Sequence, residues 1–201
     1  MAESRPQSTT RLEKSAKRRQ MIVETAASLF IEKGFHQTGM RDIAGKAGIS
    51  LSNLYNHFKG KHEIIAAISE LETAELDPLL THLEDVSRNR MERLLQFAAE
   101  YFDLCSSPAH AALSAEIVAE VFRNPEIGSL FEQTRIRLVQ AVANCLPTSE
   151  ENLATLAELV IGLIECAGQN AVSRDVSARK QLKLSMLAFV ERAVGAKPIQ
   201  G

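Results

Sequence analysis

Tryptophan is absent from this chain, tyrosine occurs only twice and cysteine three times. The cysteines, Cys105, Cys145 and Cys166, lie far apart, with no CxxC pair and no zinc-ligand spacing. That excludes a disulfide scaffold and a structural zinc site. All three are expected to be reduced, buried, apolar residues. Long apolar runs are missing too: none approaches the roughly 18–20 residues that span a bilayer. The amino terminus is polar, without the apolar middle region of a signal peptide, so a cytoplasmic protein with no membrane partner is expected. Catalytic fingerprints are also lacking. There is no P-loop, no dinucleotide glycine motif, no HExxH and no GxSxG. The five histidines are scattered, with no Cys or Asp at a catalytic spacing. The expectation is a protein that is not an enzyme, with no catalytic residues, no cofactor and no metal.

What the chain does have is an uneven charge. Residues 1–62 hold 11 Lys/Arg against 5 Asp/Glu, a net +6, whereas residues 63–201 hold 12 against 20, a net −8. A basic amino-terminal part suits phosphate contact, and an acidic remainder would be repelled by nucleic acid. With 201 residues and 45% hydrophobic composition, the chain can bury a sizeable core in one or two units.

The basic part contains the most informative stretch, Thr38 to Phe58, TGMRDIAGKAGISLSNLYNHF. Thr38 can cap a helix through its hydroxyl. Met40, Ile43, Ala44 and Ala47 follow on one helical face. Gly48 suits the left-handed backbone that ends a helix. Ser50 can cap the next helix, where Leu54 and Phe58 share the core side. Ser52, Asn53, Tyr55, Asn56 and His57 are left for other faces. Helix, glycine turn and polar second helix is the layout of a helix-turn-helix DNA reader. A preceding helix is expected over residues 15–33, with Ile22, Val23, Ala26, Ala27, Leu29 and Phe30 as its apolar stripe and Gly34 at its end.

These residues resemble the DNA-binding region of the tetracycline-repressor (TetR) family. The likeness rests on Ile22-Val23, Ala26 and Leu29-Phe30; Glu32-Lys33-Gly34-Phe35; Thr38; Met40-Arg41-Asp42-Ile43-Ala44; Ala47-Gly48-Ile49-Ser50; and Leu54-Tyr55-Asn56-His57-Phe58 with Lys61. It covers about a quarter of the chain, and its ordered combination is specific where each piece alone is weak. The resemblance implies an all-α regulator that binds double-stranded operator DNA. It also implies a small-molecule effector and a homodimer formed through the last two helices. The expected organisation is a basic flexible arm over residues 1–14, a helix-turn-helix domain over 15–60 and a helical effector-binding and dimerisation domain over 61–201, about nine helices in all.

Within the first unit the resemblance assigns phosphate contacts to Thr38, Tyr55, His57 and Lys61, and their hydroxyl, phenol, imidazole and ammonium groups suit that role. Base contacts fall to Leu51, Ser52, Asn53 and Asn56 at the start of the recognition helix, beside Ser50. Asn can pair bidentately with adenine. Many relatives carry a basic residue where Leu51 stands; a leucine can touch a thymine methyl or pack on its own helix. Arg41 can reach phosphate or pair with a neighbouring acid. The arm from Arg5 to Arg19 either follows the DNA, along its backbone or in a minor groove, or is a solvated tail.

The remainder is expected to be helical, with no strand alternation and no repeat. The expected helices run from about Lys61 to Leu76, where Asp77-Pro78 perturbs the end; from Ser87 to Cys105; from Pro108 to Phe122; to about Cys145; from a Thr148–Glu151 capping box to Val172; and from Val176 to Val194. Leu79–Val86 is ambiguous. The last two helices are apolar on faces wider than one monomer needs, with Ala154, Ala157, Gly162, Ala167 and Gly168 permitting close approach. That pattern predicts a two-fold dimer. Candidate effector contacts are polar or aromatic groups among apolar positions: Phe97, Tyr101, Phe102, His110, Glu116, Glu120, Phe131, Arg135, Glu165, Gln169 and Asn170. Aromatics at helical spacing equally suit plain core, and the three glutamates equally suit solvated positions. Repression released by the effector is the leading expectation; activation or redox sensing on the same fold are the alternatives.

Overall fold

The apolar periodicities become nine α-helices and no strand among the described residues. The computed structural model describes residues 7–147 and 152–195, with side chains from residue 11 onward. The helices are α1 (Gln7–Lys33), α2 (Met40–Lys46), α3 (Leu51–His57), α4 (Lys61–Glu84), α5 (Arg90–Cys105), α6 (Pro108–Arg123), α7 (Pro125–Ala143), α8 (Leu153–Ala171) and α9 (Val176–Gly195). The expected all-α fold is present.

Two clusters of buried side chains organise them. The first gathers Ile22, Val23, Ala26, Leu29 and Phe30 of α1, Ile43 and Ala44 of α2, Leu54 of α3, Phe58, and Ile64, Ile65, Ala67 and Ile68 of α4. Ile127 of α7 joins it, and Leu113, Ile117 and Val121 of α6 pack against it. The second is built from the far half of α4, α5, the end of α7, α8 and α9. Helix α4 belongs to both.

Three boundaries depart from expectation, each for a local reason. Helix α1 runs back to Gln7, through residues expected to be a flexible arm. That stretch has no glycine or proline to break it, and Glu13 stands four residues before Lys17. Its side chains at 11–20 are exposed, so propensity rather than burial holds it. Arg5 and the tail after Gly195 lie outside the described residues. Helix α4 does not stop at Leu76 but carries Pro78 inside it to Glu84. Leu76, Leu80 and Leu83 bury one stripe on the second core, whereas Pro78 and the Ala74 carbonyl it leaves unpaired face solvent. The helix end is held by Arg93, buried on α5, whose Nη1 donates to the Leu83 carbonyl at 2.6 Å. Helix α5 is capped by Asn89, not Ser87; the Asn89 side chain accepts the Glu92 N–H at 2.8 Å, while Ser87 is engaged with Asp85. The Thr148–Glu151 capping box lies outside the described residues.

Gly168 lets α5 and α8 approach closely: a Cβ there would stand 2.5 Å from Cys105 Cβ. The small residues of α8 therefore divide. Ala157, Ala167 and Gly168 are buried inside the protomer, whereas Ala154 is exposed and Gly162 faces open space. The cysteines divide too. Cys105 and Cys145 are buried, but Cys166, expected to be buried, is exposed on α8.

Candidate nucleic-acid interface and interior cavity

The turn between α2 and α3 forms as the sequence demands. Gly48 adopts φ +65°, and its N–H and that of Ile49 bond back to Gly45 and Ala44, closing a Schellman turn. Ser50 caps α3, its Oγ accepting the Asn53 N–H at 3.1 Å. Leu54 and Phe58 point into the first core, which turns Ser52, Tyr55 and Asn56 outward on the opposite side. Arg41 on α2 is exposed as well, and Tyr55 is 48% exposed. Leu51, His57 and Asn53 are half-buried, Leu51 packing against the first core. The Asn53 amide oxygen has no hydrogen-bond partner within the described residues.

Thr38 is placed differently from expectation. The residue capping α2 is Gly39, whose N–H donates to Asp42 Oδ2 at 2.8 Å. Thr38 is buried, and its one hydroxyl hydrogen points between the carbonyls of Gly34 at 2.9 Å and Leu29 at 3.2 Å, fastening the end of α1. Lys61 is similarly engaged: its Nζ donates to the Phe35 carbonyl at 2.8 Å and sits 4.1 Å from the Phe35 ring centroid. Burial lowers its pKa, with the Glu120 carboxylate opposing that shift.

The α1–α2 connection is also gripped from the other side. Gly34 turns the chain at φ +84°. The next residue, Phe35, donates its N–H to Glu116 of α6 at 3.1 Å, and His36 Nε2 lies 2.8 Å from Glu120 Oε2. Glu116 and Glu120, read from sequence as effector candidates, thus hold the base of the DNA-reading unit.

Helices α4, α5, α6, α7 and α8 line an open cavity of about 740 Å³. Among the candidates, Tyr101, His110, Phe131, Arg135 and Glu165 line it. Arg135 Nη1 and the Tyr101 hydroxyl both donate to Glu165 Oε1, at 2.8 and 2.7 Å. Burial, seconded by Glu165, raises the Tyr101 pKa well above its usual range, and burial pushes the Cys105 thiol up to about 12. His110 is shifted down by burial, with Glu75 at 3.8 Å opposing. The remaining candidates lie elsewhere: Phe97 and Phe102 are fully buried core, and Gln169 and Asn170 are exposed near the end of α8.

Glu72 is among the cavity residues that the candidate set omits. Glu72 of α4 lines the large cavity and a neighbouring hollow of about 470 Å³ between α1, α4 and α6. Burial first, then the Glu75 and Glu165 carboxylates, raise its pKa to about 7. The signal was present. Ile65, Ile68, Glu72 and Leu76 continue one helical stripe, and a carboxyl interrupts it.

The arrangement offers an exposed polar helix beside a basic surface, joined through α4 and α6 to an open cavity. The family described as bacterial regulatory proteins, tetR family, is matched over residues 22–68. The chain is 40% identical over 80 residues to the HTH-type transcriptional repressor KstR2 of Mycobacterium tuberculosis, covering 38% of each protein. It is 27% identical over 137 residues to the HTH-type transcriptional regulator UidR of Escherichia coli, covering 66% of each. The chain thus matches less than two thirds of the length of these relatives. Its fold is similar to that of a transcriptional regulator from Saccharomonospora viridis determined in complex with choline, with a TM-score of 0.71 and 21% identity over 89% of this chain and 98% of that one. With the helix-turn-helix geometry and the family match on the same residues, residues 22–68 form a DNA-binding unit of the kind found in bacterial regulatory proteins of the tetR family.

Proposed function

We propose that the protein is a homodimeric transcriptional repressor that binds a palindromic operator and releases it when a small molecule enters the cavity. The observation that carries the DNA half is the orientation of α3. One face is locked into the first core by Leu54 and Phe58, and the other presents Ser52, Tyr55 and Asn56 to solvent beside Arg41. Ser52, Asn53 and Asn56 are the base-reading groups in this reading, and Arg41, Tyr55 and His57 meet phosphates. The exposed Arg11, Lys14, Lys17, Arg18 and Arg19 of α1 add positive charge. Thr38 and Lys61 act by holding the α1–α2 connection, since their polar atoms are already engaged there.

The dimer is supported by apolar groups left uncovered on α8 and α9. Leu159, Leu184 and Phe189 are more than half exposed, and Gly162 faces outward among them. Such a patch on adjacent helices suits an isologous four-helix contact. The release step is supported by two helices that reach both sites. Helix α4 passes from Lys61 to Glu72, and α6 carries His110 at the cavity and Glu116 and Glu120 at the α1–α2 connection. An effector must favour the form that does not fit DNA, and its coupling to DNA is reciprocal. The similar Saccharomonospora protein was determined with choline, and a small organic effector is the occupant proposed here.

Fluorescence anisotropy with the DNA upstream of the protein's own gene, across a salt series, tests this reading. Tyr55→Ala is expected to weaken binding on every sequence, while Asn53→Ala chiefly blurs discrimination. No binding to any duplex at low salt would overturn it. Sedimentation equilibrium tests the dimer: the wild-type chain is expected at twice its 22.1 kDa mass, and Phe189→Glu at the monomer mass.

A further inference from the structure

We propose that the cavity takes an amphipathic organic cation, an ammonium or amidinium group on an apolar body, with the Glu72 carboxylate as its counter-ion. This rests on the effector reading and names the chemistry of the ligand.

The argument starts from how the ionisable groups at the cavity are paired. Four carboxylates line it, from Glu72, Glu132, Glu158 and Glu165, against one guanidinium, from Arg135. Arg135 is committed to Glu165, which also receives the Tyr101 hydroxyl. His110 is the other basic group in the lining, and it lies 3.8 Å from Glu75 rather than on Glu72. Glu132 and Glu158 are exposed at the mouth and keep their water. Glu72 is half-buried in the wall, with no hydrogen-bond or ion-pair partner among the described residues. A carboxylate in that position loses hydration and recovers nothing from the protein. A ligand cation would restore the missing half of the pair at a partly desolvated carboxylate, where the attraction is stronger than in bulk water.

The walls set the rest of the ligand. Leu76, Ile117, Val121 and Leu138 give an apolar lining, and Phe131 adds an aromatic ring. The volume of about 740 Å³ lies within the range that accepts drug-sized molecules, about 300–1,000 Å³. An anionic ligand would meet four carboxylates and find its one cation already taken. A neutral ligand would leave Glu72 either unneutralised or obliged to keep its proton.

The test is calorimetric titration of the full chain with three probes of equal length: nonyltrimethylammonium, nonan-1-ol and nonanoate. At about pH 8 the ammonium is expected to bind at least about tenfold more tightly than the alcohol. Glu72→Gln is expected to abolish that advantage by bringing ammonium and alcohol affinities together, with an unchanged far-ultraviolet circular dichroism spectrum and cooperative melting as the control for folding. The advantage is expected to shrink at about pH 5.5, where Glu72 keeps its proton. Glu75 on the same helix, Tyr101, His110, Arg135 and Glu165 face it from the other elements, so Glu75→Gln and His110→Gln serve as the pH controls. Tighter binding of nonanoate, an ammonium affinity indifferent to Glu72→Gln, or no binding of any probe would each overturn the proposal. Anisotropy with operator DNA separates the two readings. If the alcohol or nonanoate releases DNA while the ammonium has no advantage, the cation falls and the effector cavity stands. If the ammonium binds through Glu72 but leaves DNA affinity unchanged, the cation site stands and the effector reading falls.

Discussion

Lys61 and Glu72 share helix α4, about three turns apart, and meet opposite surroundings. Lys61 is half-buried and engaged, with a carbonyl to donate to and a ring beneath its ammonium. Around it Thr38 and Glu116 are hydrogen-bonded within the chain, and the buried Glu120 Oε2, which accepts no hydrogen bond among the described residues, lies 2.8 Å from His36 Nε2. Glu72 is half-buried too, but matched to no side chain among the described residues. Polar groups that close on one another fix a geometry, which is what a surface that must fit a DNA groove requires. A polar group left open inside a cavity weakens the empty protein and favours whatever completes it. The difference separates a region built to be rigid from one built to be filled.

The sharpest way to break this comparison is to unseat the rigid region. Phe58 is fully buried beneath α3, with the Arg19 guanidinium 4.9 Å from its ring centroid. Phe58→Ala is expected to cost about 3–5 kcal/mol in urea unfolding. A loss below about 1 kcal/mol would mean the region is not tightly packed.

Glu72→Gln should do the reverse. The carboxyl ionises near 4.5 in an unstructured chain but near 7 in the fold. Below about pH 4.5 both states hold the proton and the group is neutral in its effect on stability. Between the two values the unfolded chain alone releases its proton, so folding stability falls as pH rises. Above about pH 7 the full penalty is present, on the order of 3 kcal/mol. The variant is therefore expected to melt higher than wild type at about pH 8 and to match it at about pH 4. Equal melting curves at both would show that Glu72 is solvated after all.

A smaller effect distinguishes the inward from the outward side of α8. Gly168→Ala places a methyl against Cys105 and is expected to cost about 1–3 kcal/mol. Gly162→Ala meets nothing within the protomer and is expected to gain up to about 1 kcal/mol of helix stability, read by thermal melting of dilute protein. Both changes together then reveal whether sedimentation is altered by the outward one alone.

The smallest effect on stability is expected where DNA binding suffers most. Tyr55→Ala removes an exposed ring three residues before Phe58 and should shift unfolding by less than about 0.5 kcal/mol. The same variant is expected to lose about tenfold or more in operator affinity by anisotropy. Equal losses in both would identify Tyr55 as structural.

The DNA-reading unit was legible because each device in it is local. Gly48 and Ser50 act within a few residues, and the Leu54–Phe58 spacing settles which face is buried. Pro78 misled because its cost depends on which side of α4 faces water, and only packing decides that. Ser87 and Asn89 were both eligible caps, and tertiary position chose between them. The effector candidates were chosen by side-chain type, which cannot separate Phe97 and Phe102, sealed in core, from Tyr101 and Phe131 at a cavity wall. Glu72 was readable by a stricter rule, a carboxyl standing in an apolar stripe. Glu116 and Glu120 were not, because their partners lie about 80 residues away in sequence.

Pro78 has a mechanical consequence. A helix bends most easily at a missing rung, and the rung lost in α4 is the one between Pro78 and Ala74. Glu72 lies on the amino-terminal side of that weak point, on the same unbroken stretch as Ile64, Ile68 and Lys61. Between Glu72 and Lys61 the helix is a strut about 16 Å long with every rung in place. In the proposed release, a load applied at Glu72 would travel along the strut to the α1–α2 connection, while the compliance that would otherwise absorb it sits beyond the point of loading.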